Sequence, residues 1–229
     1  MRIGAATLSL LLAVVGGAPA APPPDALLPV EQYTSQKART LALRYAQDLR
    51  TLQLGIYHCI PWVETQPYSI GFFKPRHLPG ADDRYLSLRI FIEQDPSPVF
   101  AGMPIEGRAS AMFSRYAGPM LRRMTRNPAL LGDTDVDGFT VILEWLKQET
   151  RRAGARPVHE TIAVFVDKPT TAAYLSTQLA GRELADRSQV FGWDGERPLG
   201  RLRLSAYDDD FVDTYKLPNY TVEPGVTCP

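Results

Sequence analysis

Apolar positions along the chain fall into blocks that alternate between helical and strand periods. From Thr34 to Leu54, Ala38, Leu41, Ala42, Tyr45, Leu49 and Leu52 recur mostly at three- and four-residue steps. That stripe predicts a helix lying on a core, with Gly55 as its stop. Ile56 to Val63 is strand-like, but Pro61 lacks a ladder donor and confines it to an edge or a bulge. Tyr85 to Gln94 alternates, with Leu86, Leu88, Ile90 and Ile92 on one side. A second helix is predicted over Ile105 to Met124, its stripe being Ile105, Ala109, Met112, Phe113, Tyr116, Met120 and Met124. Pro119 should kink it. Phe139 to Leu146, rich in β-branched and aromatic residues, and Glu160 to Asp167, with Ile162, Val164 and Val166 on one face, read as strands. Pro169 opens a helix that runs to about Leu184. Gln189 to Trp193 and Leu199 to Tyr207 form a hairpin around Asp194-Gly195.

Between residues 85 and 193 the order is therefore strand, helix, strand, strand, helix, strand. This βαββαβ order resembles ferredoxin-like folds and predicts an α+β domain, an antiparallel sheet with helices packed on one face. The N-terminal helix and the C-terminal hairpin are additions to that core. No internal repeat or second linker interrupts 34–207, which reads as a single domain. Residues 21–33, with Pro22-Pro23-Pro24, form a proline-rich linker, and 208–229 a polar tail.

The formal net charge is zero, so there is no bulk attraction to nucleic acid. Arg2, the apolar run Ile3 to Val15 and Ala18-Pro19-Ala20 form a signal-peptide pattern over residues 1–20, predicting cleavage after Ala20 and export to a periplasm or the cell exterior. The run is shorter than a membrane span and no other run reaches that length, so no transmembrane span is expected in the mature chain. An oxidising compartment allows one disulfide, Cys59–Cys228. Chain entropy assigns such a bond roughly 4–5 kcal/mol at most. The alternative buries Cys59 as a small hydrophobe and leaves Cys228 loose near the end.

Four patterns carry candidate chemistry. Residues 64–84 form a long irregular connection whose aromatic and basic side chains, Tyr68, Phe72, Phe73 and Arg76, suit a binding loop. The other reading has those aromatics pin the loop to the core. Arg108, Arg115, Arg122 and Arg126 recur at steps of seven and four along the second helix. They could face an envelope anion such as lipid or cell-wall phosphate, or simply form a solvated face. Asp133, Asp135, Asp137, Gly138 and Glu144 satisfy the spacing of a calcium loop, with oxygen ligands at one, three and five and a glutamate at twelve. Against this, the strand predicted from Phe139 carries Glu144 away from the aspartates. Finally, His58, His77 and His159 share no metal-ligand spacing with one another or with the cysteines. Ser110 lacks the closing glycine of a nucleophile elbow, and no phosphate-binding glycine motif occurs. No catalytic residue is assigned.

The leading expectation is an exported cell-envelope protein without catalytic machinery or cofactor, a binding or structural module whose partner, unidentified by the sequence, could be an envelope component or another protein. A second expectation is an envelope hydrolase with a histidine base, and a third is a calcium-dependent module using the acidic loop. A histidine within hydrogen-bond reach of a serine or cysteine in a cleft would favour the enzyme.

Overall fold

The computed structural model describes residues 25–76, 82–92, 98–148, 158–205 and 228. Helices α1 (Gln36–Arg44) and α2 (Ala46–Cys59) lead into two short strands, β1 (Val63–Thr65) and β2 (Gly71–Phe73), and the longer β3 (Tyr85–Ile92). A helical crossover follows, made of α3 (Pro98–Gly102), α4 (Ile105–Met112), a π-helical turn (Phe113–Ala117), α5 (Gly118–Met124) and α6 (Ala129–Gly132). Strands β4 (Gly138–Gln148) and β5 (Val158–Asp167), helices α7 (Lys168–Leu175) and α8 (Gly181–Arg187), and strands β6 (Gln189–Asp194) and β7 (Arg197–Arg201) complete the order. Among the described residues no helix is long and apolar enough to cross a membrane.

The result is a mixed α/β fold on a seven-stranded, mostly antiparallel sheet. β3 and β4 run parallel over eight rungs, from Tyr85–Gly138 to Ile92–Trp145, while β4, β5, β6 and β7 pair antiparallel in turn. The βαββαβ order is present, but the ferredoxin-like strand arrangement is not what the hydrogen bonding shows. There a strand separates the parallel pair. Here both edges of β3 are taken, one by β4 and the other by β1 and β2, so neither β5 nor β6 can reach it.

Local physics accounts for the other departures. Ile56 and Cys59 continue the buried stripe of Leu49 and Leu52, so α2 runs through Gly55 and consumes most of the strand expected at 56–63. The helix expected at 34–54 breaks at Tyr45 (φ −105°, ψ 18°). The kink expected at Pro119 takes the form of the π-helical turn. Proline has no N–H for the Arg115 carbonyl, and a widened turn just before it absorbs the mismatch. Asp167 caps α7 by accepting from the Thr170 N–H (2.7 Å), but Thr177, with φ +61°, separates α7 from α8. Part of the expected linker is also structured. The Ile70 N–H donates to Ala26 (2.8 Å) and the Leu28 N–H to Ile70 (2.9 Å), tying residues 26–28 to the domain.

The core lies on one face of the sheet. Leu86, Leu88, Ile90, Phe139, Val141, Leu143, Trp145, Ile162, Val164 and Val190 meet Leu41, Leu49, Ile56, Ala109, Met112, Phe113, Met120 and Leu121 there. Strand alternation puts all these strand residues on that face. Within it an ion pair is buried: Arg108 of α4 donates through Nε to Glu160 Oε2 of β5 (2.7 Å), and the Trp145 indole N–H donates to the same oxygen (2.9 Å). Cys59, at the end of α2, is joined to Cys228 with a Cα–Cα distance of 5.4 Å. At the far edge, β7 turns back from β6 through Gly195 (φ +59°) and carries Arg197, Pro198, Gly200 (φ +78°) and Arg201.

Candidate functional site

The opposite face of the sheet is formed by the alternate residues of the same strands. Ser87 lies beside Thr140, and Arg89 beside Ile142, which in turn faces Ala163; Thr140 faces Phe165. With Trp193 of β6 they floor a groove of about 620 Å³, and residues 66–69 and 73–76 form its wall. Phe165 packs edge-on against Tyr85 and Phe191, with ring centroids 6.4 and 6.0 Å away, so the floor is rigid and aromatic. Lys74, Arg76 and Arg89 line it, Arg89 being ion-paired with Glu144, and no aspartate or glutamate is among the described lining residues. The groove suits an apolar body that carries an acidic group.

The wall contains an unusual backbone. Tyr68 follows Pro67 in the turn between β1 and β2 and has φ +55°, a conformation normally left to glycine or asparagine. The turn is tied down around it. Ser69 Oγ donates to Gln66 O (2.6 Å), and the Gln66 N–H donates to Arg89 O (3.1 Å). Tyr68 is 51% exposed, so core packing does not explain why the strain is kept. Its ring lines the groove instead. Strain of this kind, typically about 1–3 kcal/mol, persists where the surroundings enforce it and concentrates at ligand sites.

Arg89 is positioned by neighbours on the same face. Its Nε and NH2 donate to Glu144 Oε2 (3.0 and 2.6 Å), while His159 Nδ1 lies 2.9 Å from Glu144 Oε1 and its ring lies against Phe91 (5.1 Å). Glu144 thus links two strand neighbours and holds the guanidinium at the groove. His159 with Glu144 resembles a base and its orienting carboxylate. Among the described residues, however, no serine or cysteine is hydrogen-bonded to a histidine. His58 is exposed beside Tyr57 (5.0 Å), and His77 lies outside the described residues.

The chain matches no protein-family model, and no match was found among curated proteins or solved structures. The site therefore stands on its geometry.

The residues singled out from sequence divide as follows. Tyr68, Phe73 and Arg76 line the groove together. Phe72 does not: it faces the core, 1% exposed, with its N–H donating to the Tyr33 hydroxyl (3.2 Å). The arginine stripe is not one face. Arg108 is buried with Glu160, Arg115 lies over the Tyr116 ring (5.6 Å), and Arg122 lies over the Tyr174 ring (5.0 Å). The π-helical turn between Arg108 and Arg122 shifts the helical phase, so steps of seven and four cannot keep these side chains aligned.

The calcium reading is corrected by the strand. Glu144 stands six residues along β4 from Gly138, about 20 Å at the usual strand rise, and is held by Arg89 and His159. The aspartates are each bonded to protein groups. Asp137 accepts from Lys37 Nζ (3.0 Å) and the Arg84 N–H (2.7 Å), and Arg44 NH2 lies 3.7 Å from Asp135. Asp133 accepts from Arg44, the Tyr45 hydroxyl (2.9 Å) and the Asp135 N–H (2.9 Å). Among the described residues no three potential ligands converge. The cluster is a structural knot that ties α1 to the turn before β4.

This knot has a pH signature. Burial alone raises the Asp133 carboxyl pKa, but the bonds from the Asp135 N–H, Arg44 and Tyr45, with the Arg44 charge, outweigh burial and hold it below the ordinary aspartate value. A folded-state pKa below the unfolded one gives stability that is present above the unfolded pKa and lost as pH falls through the folded one. Asp133→Asn is therefore expected to lower neutral-pH stability by about 1–3 kcal/mol. The gap to the parent should close as pH falls below about 4. Urea titrations at a series of pH values check both parts, and a gap that is constant with pH would refute the assignment.

Proposed function

We propose that this protein is an exported, non-catalytic binding module of the cell envelope, and that its open-face groove takes a ligand with an apolar, aromatic-sized body and one acidic group. The observation that carries the reading is the groove itself: a floor of Ile142, Ala163, Phe165 and Trp193, Arg76 and Lys74 at its wall with the Glu144-paired Arg89 beside them, no carboxylate among the described lining residues, and a strained Tyr68 at the rim. Export is supported by the signal-peptide pattern of residues 1–20 and suits the disulfide, which belongs in an oxidising compartment. An envelope component with an acidic group is the partner that this chemistry selects.

The test uses anilinonaphthalene sulfonate, an aromatic anion whose fluorescence rises in apolar sites. Saturable binding at one site is expected, with affinity falling several-fold in Arg76→Glu and in Tyr68→Gly. Glycine relieves the positive φ, so Tyr68→Gly should bind less while its melting temperature stays within a few degrees of the parent. Non-saturating fluorescence, or equal binding by both variants, would refute the groove as the ligand site.

A further inference from the structure

A second cavity, of about 590 Å³, lies on the helical side of the molecule, between α2, α5 and the residues that lead into α6. Arg122, Arg123 and Arg126 all line it. Asp48, the only acidic residue in the described lining, accepts instead from Asn127 Nδ2 (3.2 Å). Among the described residues no carboxylate lies within ion-pair distance of any of the three arginines. Arg122 is oriented by lying over the Tyr174 ring, 5.0 Å from its centroid. Arg123 is half-buried, and burial together with the neighbouring Arg126 charge lowers its pKa. Three guanidinium groups share the cavity with one carboxylate, which is not paired with any of them, so the lining keeps a net positive charge that an anion would offset.

Gly55 leaves the α2 side of the cavity without a side chain. It sits in the interior of α2, where glycine weakens a helix, and it opens onto this cavity. Arg123 NH1 lies 3.8 Å from where a Gly55 Cβ would stand, so the guanidinium packs over this bare stretch of helix at van der Waals distance.

We infer that this arginine-lined cavity between α2 and α5 binds a phosphoryl group. Guanidinium forks match phosphate oxygens in paired hydrogen bonds, and several of them suit a multiply charged anion better than a single carboxylate. The cavity is also much larger than inorganic phosphate, leaving room for the rest of an ester. The site lies away from the open-face groove and does not depend on it. Sequence reading named Arg122 and Arg126 but passed over Arg123, because it stands one position off the expected stripe.

The experiment is thermal melting of the purified chain in inorganic pyrophosphate against chloride at matched ionic strength. A saturable rise in melting temperature is expected. Its midpoint should move roughly tenfold or more to higher concentration in Arg126→Gln and Arg123→Gln. Arg182→Gln, an exposed change on α8 outside the cavity, should leave it in place. Arg126 is exposed, so its variant keeps the test decisive even where Arg123→Gln folds poorly. Sedimentation with phosphatidylglycerol vesicles, against phosphatidylcholine vesicles, separates the sources. Binding that Arg126→Gln abolishes identifies a lipid headgroup, and a pyrophosphate response without vesicle binding identifies a soluble ester. No rise above the chloride control, or the same rise in all variants, overturns the site.

Discussion

Glu160→Gln is expected to cost about 3–5 kcal/mol, the range seen when one partner of a buried ion pair is removed. Glu160 is 1% exposed and Arg108 is 8% exposed, so glutamine leaves a cation in the core with no counter-charge. Glutamine keeps one acceptor oxygen for the Trp145 and Arg108 donors and turns an NH2 group towards one of them, and Arg108 also donates to the Met103 carbonyl just before α4. For a chain of this size the loss corresponds to a fall of roughly 10–15 °C in melting temperature. The double variant Arg108→Met with Glu160→Leu is expected to recover most of it, because removing both charges removes both desolvation costs. Urea melts of Arg108→Met, Glu160→Leu and the double variant complete the cycle. Additive losses, with no recovery in the double variant, would mean that the pair is not coupled.

The disulfide sets the second large effect. It spans 169 residues between Cys59 and Cys228, and restricting an unfolded chain over such a span is worth up to about 5 kcal/mol. Cys59→Ser, or reduction of the parent, is therefore expected to lower the melting temperature by roughly 10–15 °C. Reductant should then have no further effect on Cys59→Ser. Identical parent melts with and without reductant would show that the bond contributes nothing to stability.

Much of the frame was legible because a half-covered sheet writes its two faces into alternate residues. Leu86, Leu88, Ile90 and then Ile162, Val164, Val166 could be read directly as core. Strand order could not be read, because it depends on which edges of β3 are already occupied, and β1 and β2 are only three residues each. Gly55 was misleading in isolation: its local preference pointed to a helix end, while Ile56 and Cys59 continued the buried stripe. Half of the candidate groove was visible in Tyr68, Phe73 and Arg76. The other half lay in plain view as the outward row of the strands. Ile142, Ala163, Phe165, Phe191 and Trp193 are too apolar for a face meant only for water. The link from Arg89 through Glu144 to His159 depends on strand register, which no local pattern encodes.

The modest strand β7 also determines how the sheet ends. An open edge invites further strands, from a neighbouring molecule as readily as from the same one. Pro198 removes one donor from that edge, Gly200 bends its backbone out of the extended path, and Arg197 and Arg201 would set like charges against each other in any approaching copy. On the other side, β1 and β2 are too short to template a long partner. Among the described residues both margins of the sheet thus disfavour edge-to-edge pairing with another copy.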